Sequence, residues 1–194
     1  MTTPISLSRF RLGAAAAGLV FTAMACGGGT QLPDPIIENV VDSTIVYALN
    51  GTTIGTASAF DVVASSRARP ELREAYDFAF DIDAGDRPLL LPGNLAGLPS
   101  SAGLLESEQT FDEIVRAPLE GYVSDTALVA EVGTVFIARS RSTTTFCSAL
   151  VGALPRYGKF EVTGIDPAER TVTLRFMVNM NCGYRDLTPG LPEQ

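Results

Sequence analysis

Any catalytic chemistry in this chain would have to come from carboxylates, because the sequence contains no histidine. Without an imidazole, Ser–His–Asp and Cys–His nucleophile systems and histidine metal sites are excluded. The phosphate-binding G-x-x-x-x-G-K-[ST] motif and the G-x-S-x-G nucleophile motif are also missing. The single lysine, Lys159, falls within a predicted strand, where we expect a solvated side chain rather than part of a Ser–Lys pair. A carboxylate pair, as in glycoside hydrolysis, is the remaining catalytic option, and we predict no individual catalytic residue.

The densest acidic stretch contains Asp77, Asp81, Asp83 and Asp86. Its D-x-D-x-G-D portion places hard oxygen ligands on a tight turn, as calcium requires. The order of Gly85 and Asp86 departs from that of an EF-hand loop. We interpret the stretch as the solvent face of a strand that leads into a polar turn. A calcium site at Asp81, Asp83 and Asp86 is the alternative.

The first thirty residues carry the features of an export signal. Arg9 and Arg11 precede an apolar segment, residues 12–25, that ends directly before Cys26. This segment of about 14 residues is shorter than the roughly 20 that a membrane-spanning helix needs. The arrangement resembles a bacterial lipoprotein signal, in which cleavage before the cysteine leaves a thiol that carries a diacylglycerol. An ordinary signal peptide with an incidental cysteine is the alternative.

The resemblance to lipoproteins implies that the protein is located in the bacterial cell envelope. Cys26 would carry the lipid, and two or three acyl chains would hold the protein stably on the membrane. Gly27, in the place where aspartate would direct retention, implies sorting to the outer membrane. We therefore expect a lipid-anchored protein on the periplasmic or the surface face of that membrane.

Charge excludes one class of partner. Removal of residues 1–25 takes away two arginines and no acidic residue, so the formal net charge goes from −8 to −10. An acidic surface of this kind repels phosphate backbones and anionic lipid headgroups. We expect no nucleic-acid partner, and membrane attachment through the lipid rather than through a basic patch.

The remaining chain is long enough for one domain. We divide it into a signal peptide (1–25), a Gly- and Pro-rich tether (26–35), a single β-rich domain (36–187) and a C-terminal tail (188–194) that frays. With Cys26 assigned to lipid, Cys147 and Cys182 remain as a disulfide pair in an oxidising compartment. Two separate buried thiols are the alternative.

Apolar and polar residues alternate along most of the domain, which is the period of β-strands. Asn50-Gly51 predicts a hairpin turn between strands at 43–49 and 52–63. The alternation from Tyr76 to Asp83 predicts a strand with one apolar and one solvated face. Further strands are predicted at 128–132, 135–140, 145–151, 158–164 and 171–179, the last with Val172, Leu174, Phe176 and Val178 on one face.

Two segments interrupt the strand pattern. Residues from Pro92 to Ser107 include glycine and proline at intervals, which predicts a long loop. Thr110 and Glu113 have capping-box spacing, which predicts a short helix that stops before Pro118. Because helical crossovers are so few, we predict an all-β fold, mainly an antiparallel sandwich or barrel, with one or two short helices.

Several short motifs stand in the C-terminal half: Phe111-Asp-Glu113, Ala117-Pro118, Gly121-Tyr122, Asp125, Gly133 to Arg139 and Tyr157 to Val162. Together they resemble the pattern of HmuY-like lipoproteins, which are all-β, surface-anchored haem-binding proteins. The resemblance supports the all-β fold and raises haem as a ligand. The family's haem-ligating histidines have no counterpart here, so only Met177 and Met180 could ligate, and strand methionines usually pack in the core. We predict no cofactor, with calcium and haem as alternatives.

The predicted function is that of a non-catalytic binding or structural domain in the envelope, with an envelope protein or a small ligand as partner. Long loops are often functional, and a tyrosine beside a glycine offers an amphipathic contact surface. The predicted binding residues are therefore Leu98 and Leu104 in the long loop and Tyr122 beside Gly121. A carboxylate-pair hydrolase acting on glycans and a haem-binding HmuY-like lipoprotein are the alternatives.

Overall fold

The computed structural model describes residues 32–72, 74–98, 100–144, 147 and 152–193. Within them the chain forms ten strands and one 3-10 helix, Pro70–Leu72. The predicted signal peptide and Cys26 lie outside the described residues. The strands are β1 (Val41–Tyr47), β2 (Ala59–Asp61), β3 (Ser66–Ala68), β4 (Phe78–Ile82), β5 (Pro88–Pro92), β6 (Gly103–Ser107), β7 (Leu128–Val129), β8 (Val135–Arg139), β9 (Tyr157–Asp166) and β10 (Thr171–Asn179).

Two antiparallel five-stranded sheets make up the fold. The first sheet has the order β1-β10-β9-β8-β6, and the second has the order β3-β2-β4-β5-β7. Each sheet keeps two edge strands of its own, so the sheets pack as a sandwich and do not close into a barrel. The all-β prediction is confirmed, and of its two alternatives the structure has the sandwich.

The core lies between the two sheets and is rich in phenylalanine. The predicted inner face of β10 is confirmed, because all four of its apolar side chains are buried. Phe160 lies at the centre of the aromatic cluster, with ring centroids 5.1–5.9 Å from those of four other phenylalanines. Aromatic pairs at such distances contribute about 0.5–1.5 kcal/mol each beyond their buried area. The other four rings are those of Phe60, Phe78, Phe136 and Phe176.

The predicted hairpin at Asn50-Gly51 is wrong. β1 pairs along its whole length with β10 in the first sheet, whereas β2 belongs to the second sheet. The intervening residues, 48–58, therefore form a corner that carries the chain from one sheet to the other. Gly51 still adopts a left-handed turn conformation (φ 75°), so the turn signal is local while the strand pairing is decided at long range.

The prediction of a solvated face on β4 is also wrong. Asp77, Ala79 and Asp81 are buried, although they alternate with the core residues of the same strand. The outer face of the second sheet is covered by a separate apolar cluster, which hides that side of the strand from solvent. The cluster consists of Ala59, Ala68, Tyr76 and Ala79, with Leu49, Ala96 and Leu98 packed against it.

The long loop from Pro92 to Ser107 is shorter than predicted. Its last five residues form β6, which pairs with β8 at the edge of the first sheet.

The predicted helix after Thr110 is a single turn. The Thr110 backbone N–H and hydroxyl both donate to Glu113 Oε2 (2.9 and 2.8 Å), so the capping contact forms. The chain then leaves the turn because the Ala117 N–H donates to the Arg185 carbonyl (2.7 Å).

The later strands agree with the sequence pattern. β8, β9 and β10 lie where they were predicted, and β7 is a shorter version of the predicted strand at 128–132. The β9–β10 turn is closed by Asp166 Oδ1, which accepts hydrogen bonds from the N–H groups of Ala168 and Glu169 (2.9 and 3.0 Å). The predicted strand at 145–151 lies outside the described residues except for Cys147.

The disulfide between Cys147 and Cys182 is present, with Cα atoms 5.5 Å apart, and confirms the predicted pair. The described part of the C-terminal tail is packed rather than frayed. Asn39 and Gly190 exchange two backbone hydrogen bonds (2.7 and 3.0 Å), and Asp186 Oδ2 accepts one from the Glu193 N–H (2.6 Å). These contacts hold the two ends of the described chain together at one pole of the sandwich.

Candidate functional site

The three predicted binding residues do not form one site. Leu104 lies on the inner face of β6, is only 4% exposed and belongs to the core, so it is not accessible to a ligand. Leu98 packs against the apolar cluster on the outer face of the second sheet. Tyr122 packs on the outer face of the first sheet, against residues that include Val135 and Tyr157. The structure therefore separates Leu98 from Tyr122.

Tyr122 is held by contacts within the protein. Its hydroxyl donates to the Pro118 carbonyl (3.0 Å), and its ring lies 6.0 Å from that of Tyr157. The Arg139 guanidinium lies 4.9 Å from the ring centroid, within cation–π range. Burial and the neighbouring Tyr157 raise the pKa of the Tyr122 phenol, with Arg139 opposing them. These contacts give Tyr122 a structural role in joining the 118–123 segment to β8 and β9.

The acidic stretch is divided among separate partners. Asp81 accepts hydrogen bonds from the Asn50 N–H and side-chain amide (3.0 and 2.6 Å). Asp83 accepts from the N–H groups of Gly85 and Arg87 and forms an ion pair with the Arg87 guanidinium, and these contacts lower the pKa of its carboxyl. Asp86 occupies the left-handed position of the turn (φ 58°).

Among the described residues, no three histidine, cysteine or acidic side chains converge closely enough to hold a metal ion. Calcium binding at Asp81, Asp83 and Asp86 stays the alternative that the sequence raised. Of the two methionines considered for haem, Met177 is fully buried but does not belong to the core between the sheets, whereas Met180 is partly exposed and packs against that core.

A polar recess lies on the outer face of the second sheet. We call it the Glu74 cleft, because two adjoining depressions of about 700 and 620 Å³ share Glu74 and Ala75. At its rim the Arg69 guanidinium pairs with the Glu74 carboxylate (2.7 Å). The other lining residues are Gly55, Ala57, Asp61, Ser66, Arg67, Ala68, Pro70, Tyr76, Ala96, Gly97, Leu98, Ser100 and Arg141.

Arg141 holds two carboxylates of this face. Its guanidinium pairs with Asp61 Oδ2 (3.0 Å) and Asp77 Oδ1 (3.1 Å), and its backbone N–H donates to Asp77 Oδ1 (2.8 Å). The second oxygen of Asp77 accepts from the Val62 N–H (2.8 Å), and that of Asp61 accepts from the Val63 N–H (2.8 Å). Burial raises the pKa of the Asp77 carboxyl, against the opposing effects of Arg141 and the Val62 N–H.

This geometry is that of a structural ion network. Every oxygen of Asp61 and Asp77 accepts a hydrogen bond or an ion pair from the protein. In a glycosidase, two carboxyl groups instead face a bound sugar across roughly 5–9.5 Å. The network ties the 61–64 turn to Arg141, and both carboxylates are engaged by donors of the protein itself.

Two basic residues have roles that the sequence did not indicate. Lys159 was expected to be solvated, but it is 3% exposed, and its ammonium donates to the Ile114 carbonyl (2.9 Å) above the Phe111 ring. Burial lowers the pKa of this amine. The partners of both Lys159 and Arg141 lie in segments distant in sequence, so no local pattern could have predicted the burial of Lys159 or the ion pairs of Arg141.

Compared with known proteins, the chain matches no protein family, no curated protein and no solved structure. The resemblances drawn from the sequence therefore stay predictions. In the described part of the chain, no helix has the length and apolar character to cross a membrane.

Proposed function

We propose that this protein is a lipid-anchored protein of the bacterial cell envelope, and that its β-sandwich is a non-catalytic binding or structural domain. The arrangement of the carboxylates supports the proposal that the domain is non-catalytic. Asp61 and Asp77 are both occupied by Arg141 and backbone donors, and Asp112 and Glu161 are likewise held together by Arg175 on the opposite sheet. The geometry therefore gives no support to a carboxylate-pair hydrolase.

Export is supported by the Cys147–Cys182 bond, because such bonds form and persist in oxidising compartments. Cys26 is then the one cysteine left for a lipid. Metabolic labelling with palmitate tests the anchor. We expect the wild type to be labelled and Cys26→Ser not to be, while a Cys147→Ser/Cys182→Ser control keeps its label. Equal labelling of the wild type and Cys26→Ser would refute lipidation.

The Glu74 cleft is the surface that we propose for the partner, an envelope protein or a small ligand. It combines exposed charges with a partly apolar wall that includes Leu98, and it retains one part of the predicted binding region. In cross-linking on intact cells, Leu98→Asp should lose an envelope partner that the wild type captures. Val129→Asp, at the exposed edge of the same sheet, and Tyr122→Ala, on the other sheet, should keep it.

Catalysis is tested directly with isolated cell-wall glycan. We expect purified protein to release no soluble product, as measured by chromatography and mass spectrometry. Product release that Asp61→Asn/Asp77→Asn abolishes would refute the non-catalytic assignment.

In the cross-linking experiment, loss of partner capture by Tyr122→Ala but not by Leu98→Asp would instead place the binding surface on the first sheet.

A further inference from the structure

One pole of the sandwich is apolar, and it is the pole at which the described chain begins. Ile36 is 84% exposed there, and Ile37 beside it is also exposed. Both line an apolar pocket of about 460 Å³, which lies between the N-terminal segment and the residues that follow β10. Met180 and Tyr184 form part of its opposite wall.

Two further apolar side chains are exposed at this end of the sandwich. Val40 and Leu191 directly flank the Asn39–Gly190 backbone bridge, and both side chains are exposed. We call the four side chains of Ile36, Ile37, Val40 and Leu191 the Ile36 pole. Large exposed apolar side chains grouped at one end of a domain and rimmed by polar residues are a feature of surfaces that contact a protein or a membrane.

The backbone of this pole is held firmly. The N–H groups of Ile36 and Ile37 both donate to Asn181 Oδ1 (3.0 and 3.2 Å), and Asn181 Nδ2 donates back to the Ile37 carbonyl (2.8 Å). The Tyr184 hydroxyl donates to the Pro33 carbonyl (2.8 Å). The apolar side chains are therefore presented from a fixed surface of the domain.

We propose that the Ile36 pole rests on the surface of the membrane that carries the anchor, an inference that depends on the proposed acylation of Cys26. Six residue steps join Cys26 to Leu32, and they span at most about 20 Å. The anchor thus keeps Leu32 within about 20 Å of the lipidated cysteine, so this pole is the one nearest the membrane. The opposite pole lies further away by the length of β1, about 20 Å.

The charges around the pole select the kind of lipid. Asp34, Glu38 and Glu193 are exposed near the four apolar side chains, and they would be repelled by anionic headgroups. The surface therefore fits zwitterionic headgroups, with the aliphatic side chains inserted at the boundary between headgroups and acyl chains.

The absence of tryptophan from the sequence allows a clean test with single-tryptophan reporters. Ile36→Trp places the reporter at the apolar pole. Ile54→Trp is the matched control, because Ile54 is 88% exposed and lies beyond the other end of β1. The full-length acylated proteins are reconstituted in phosphatidylcholine vesicles whose acyl chains carry bromine. Fluorescence of Ile36→Trp should fall at least twofold relative to unbrominated vesicles, whereas that of Ile54→Trp should change by less than a tenth.

Each other outcome overturns the proposal in a distinguishable way. Vesicle flotation and intact mass establish whether the protein is acylated; if it is not, the anchor and the membrane contact fail together. If it is acylated and the two reporters are quenched alike, or neither is quenched, the anchor stands and the membrane contact fails. A blue shift of Ile36→Trp without bromine quenching would mean that the protein's own acyl chain or a second copy covers the pole. Leu191→Trp provides a second reporter should Ile36→Trp disturb the fold.

Discussion

Replacement of Arg141 by methionine should destabilise the domain more than substitutions at partly exposed positions usually do. The substitution keeps an unbranched apolar side chain but removes the guanidinium that pairs with Asp61 and Asp77. Asp77 would then remain buried with only backbone donors to compensate its charge. Leaving one member of a buried pair without its partner is costly, because the remaining charge is desolvated.

The magnitude follows from the exposure of the two side chains. The Asp77 side chain is 1% exposed, but that of Arg141 is 26% exposed. Breaking a fully buried pair costs about 3–5 kcal/mol, whereas an exposed pair contributes about 0–1 kcal/mol. Because solvent screens the Arg141 side chain, we expect the free energy of unfolding to decrease by about 2–3 kcal/mol, which lies between these limits. For a domain of this size, that loss corresponds to a decrease in Tm of about 5–10 °C.

Urea denaturation of a double-mutant cycle measures this coupling. The cycle consists of the wild type, Arg141→Met, Asp77→Asn and the double variant, and we expect a coupling of about 1–2 kcal/mol. Arg69→Met is the control, because its ion pair with Glu74 lies in solvent, where screening leaves such a pair little effect on stability. A coupling below about 0.5 kcal/mol, or an equal loss in Arg69→Met, would refute the structural role of Arg141.

Three further predictions address the disulfide, the lysine and the C-terminal tail. Cys147→Ser/Cys182→Ser opens a loop of sequence separation 35, so we expect a loss of about 4 kcal/mol and a Tm lower by about 8–16 °C in thermal melting. Lys159 is buried, so an amine-reactive ester should leave it unmodified in the folded protein and modify it in urea, as measured by peptide mass spectrometry. Burial alone would raise the pKa of the Asp186 carboxyl, but hydrogen bonds from Glu193 and Thr188 lower it. Its stabilising effect is therefore present above about pH 4 and lost as the pH falls through its folded pKa, which hydrogen exchange of the tail should detect.

Each of these three has an outcome that would contradict it. A change in Tm below about 3 °C in the serine double variant would mean that the bond adds little to stability. Modification of Lys159 in the folded protein at the rate seen in urea would contradict its burial. Tail exchange with the same acid dependence in Asp186→Asn as in the wild type would remove Asp186 as the group responsible.

Local sequence patterns were sufficient to predict the structure of a segment where the segment it pairs with is close in sequence. The β9–β10 hairpin was predictable because Asp166 closes its own turn and the alternation of β10 matches its buried face. Half of the predicted capping box also forms, because the Glu113 carboxylate accepts from the Thr110 N–H, while the Thr110 hydroxyl donates to the same carboxylate instead of accepting from a backbone N–H. The helix after it does not, because backbone pairing of Ala117 with Arg185 ends the turn.

Local sequence patterns gave wrong predictions of solvent exposure where segments distant in sequence pack over a residue. Asp77 alternates with apolar residues and was therefore predicted to be solvated, but the 59–68 segment and Arg141 enclose it. Leu104 was predicted to lie in a binding loop, but pairing with β8 makes its segment an edge strand of the first sheet. In both cases the deciding partner lies more than ten residues away.

By itself, the sequence determined the all-β class and the exclusion of histidine chemistry, because these depend on composition and on short-period alternation. It predicted the pairing of the last two cysteines, and the structure decided between that bond and two separate thiols. Only the tertiary structure decided that the chain crosses between sheets after β1 and that Asp61 and Asp77 are held by Arg141. It alone brought residues 36–40 beside 190–191 at one pole. These arrangements depend on contacts between distant segments, and strand alternation carries no information about which segments will meet.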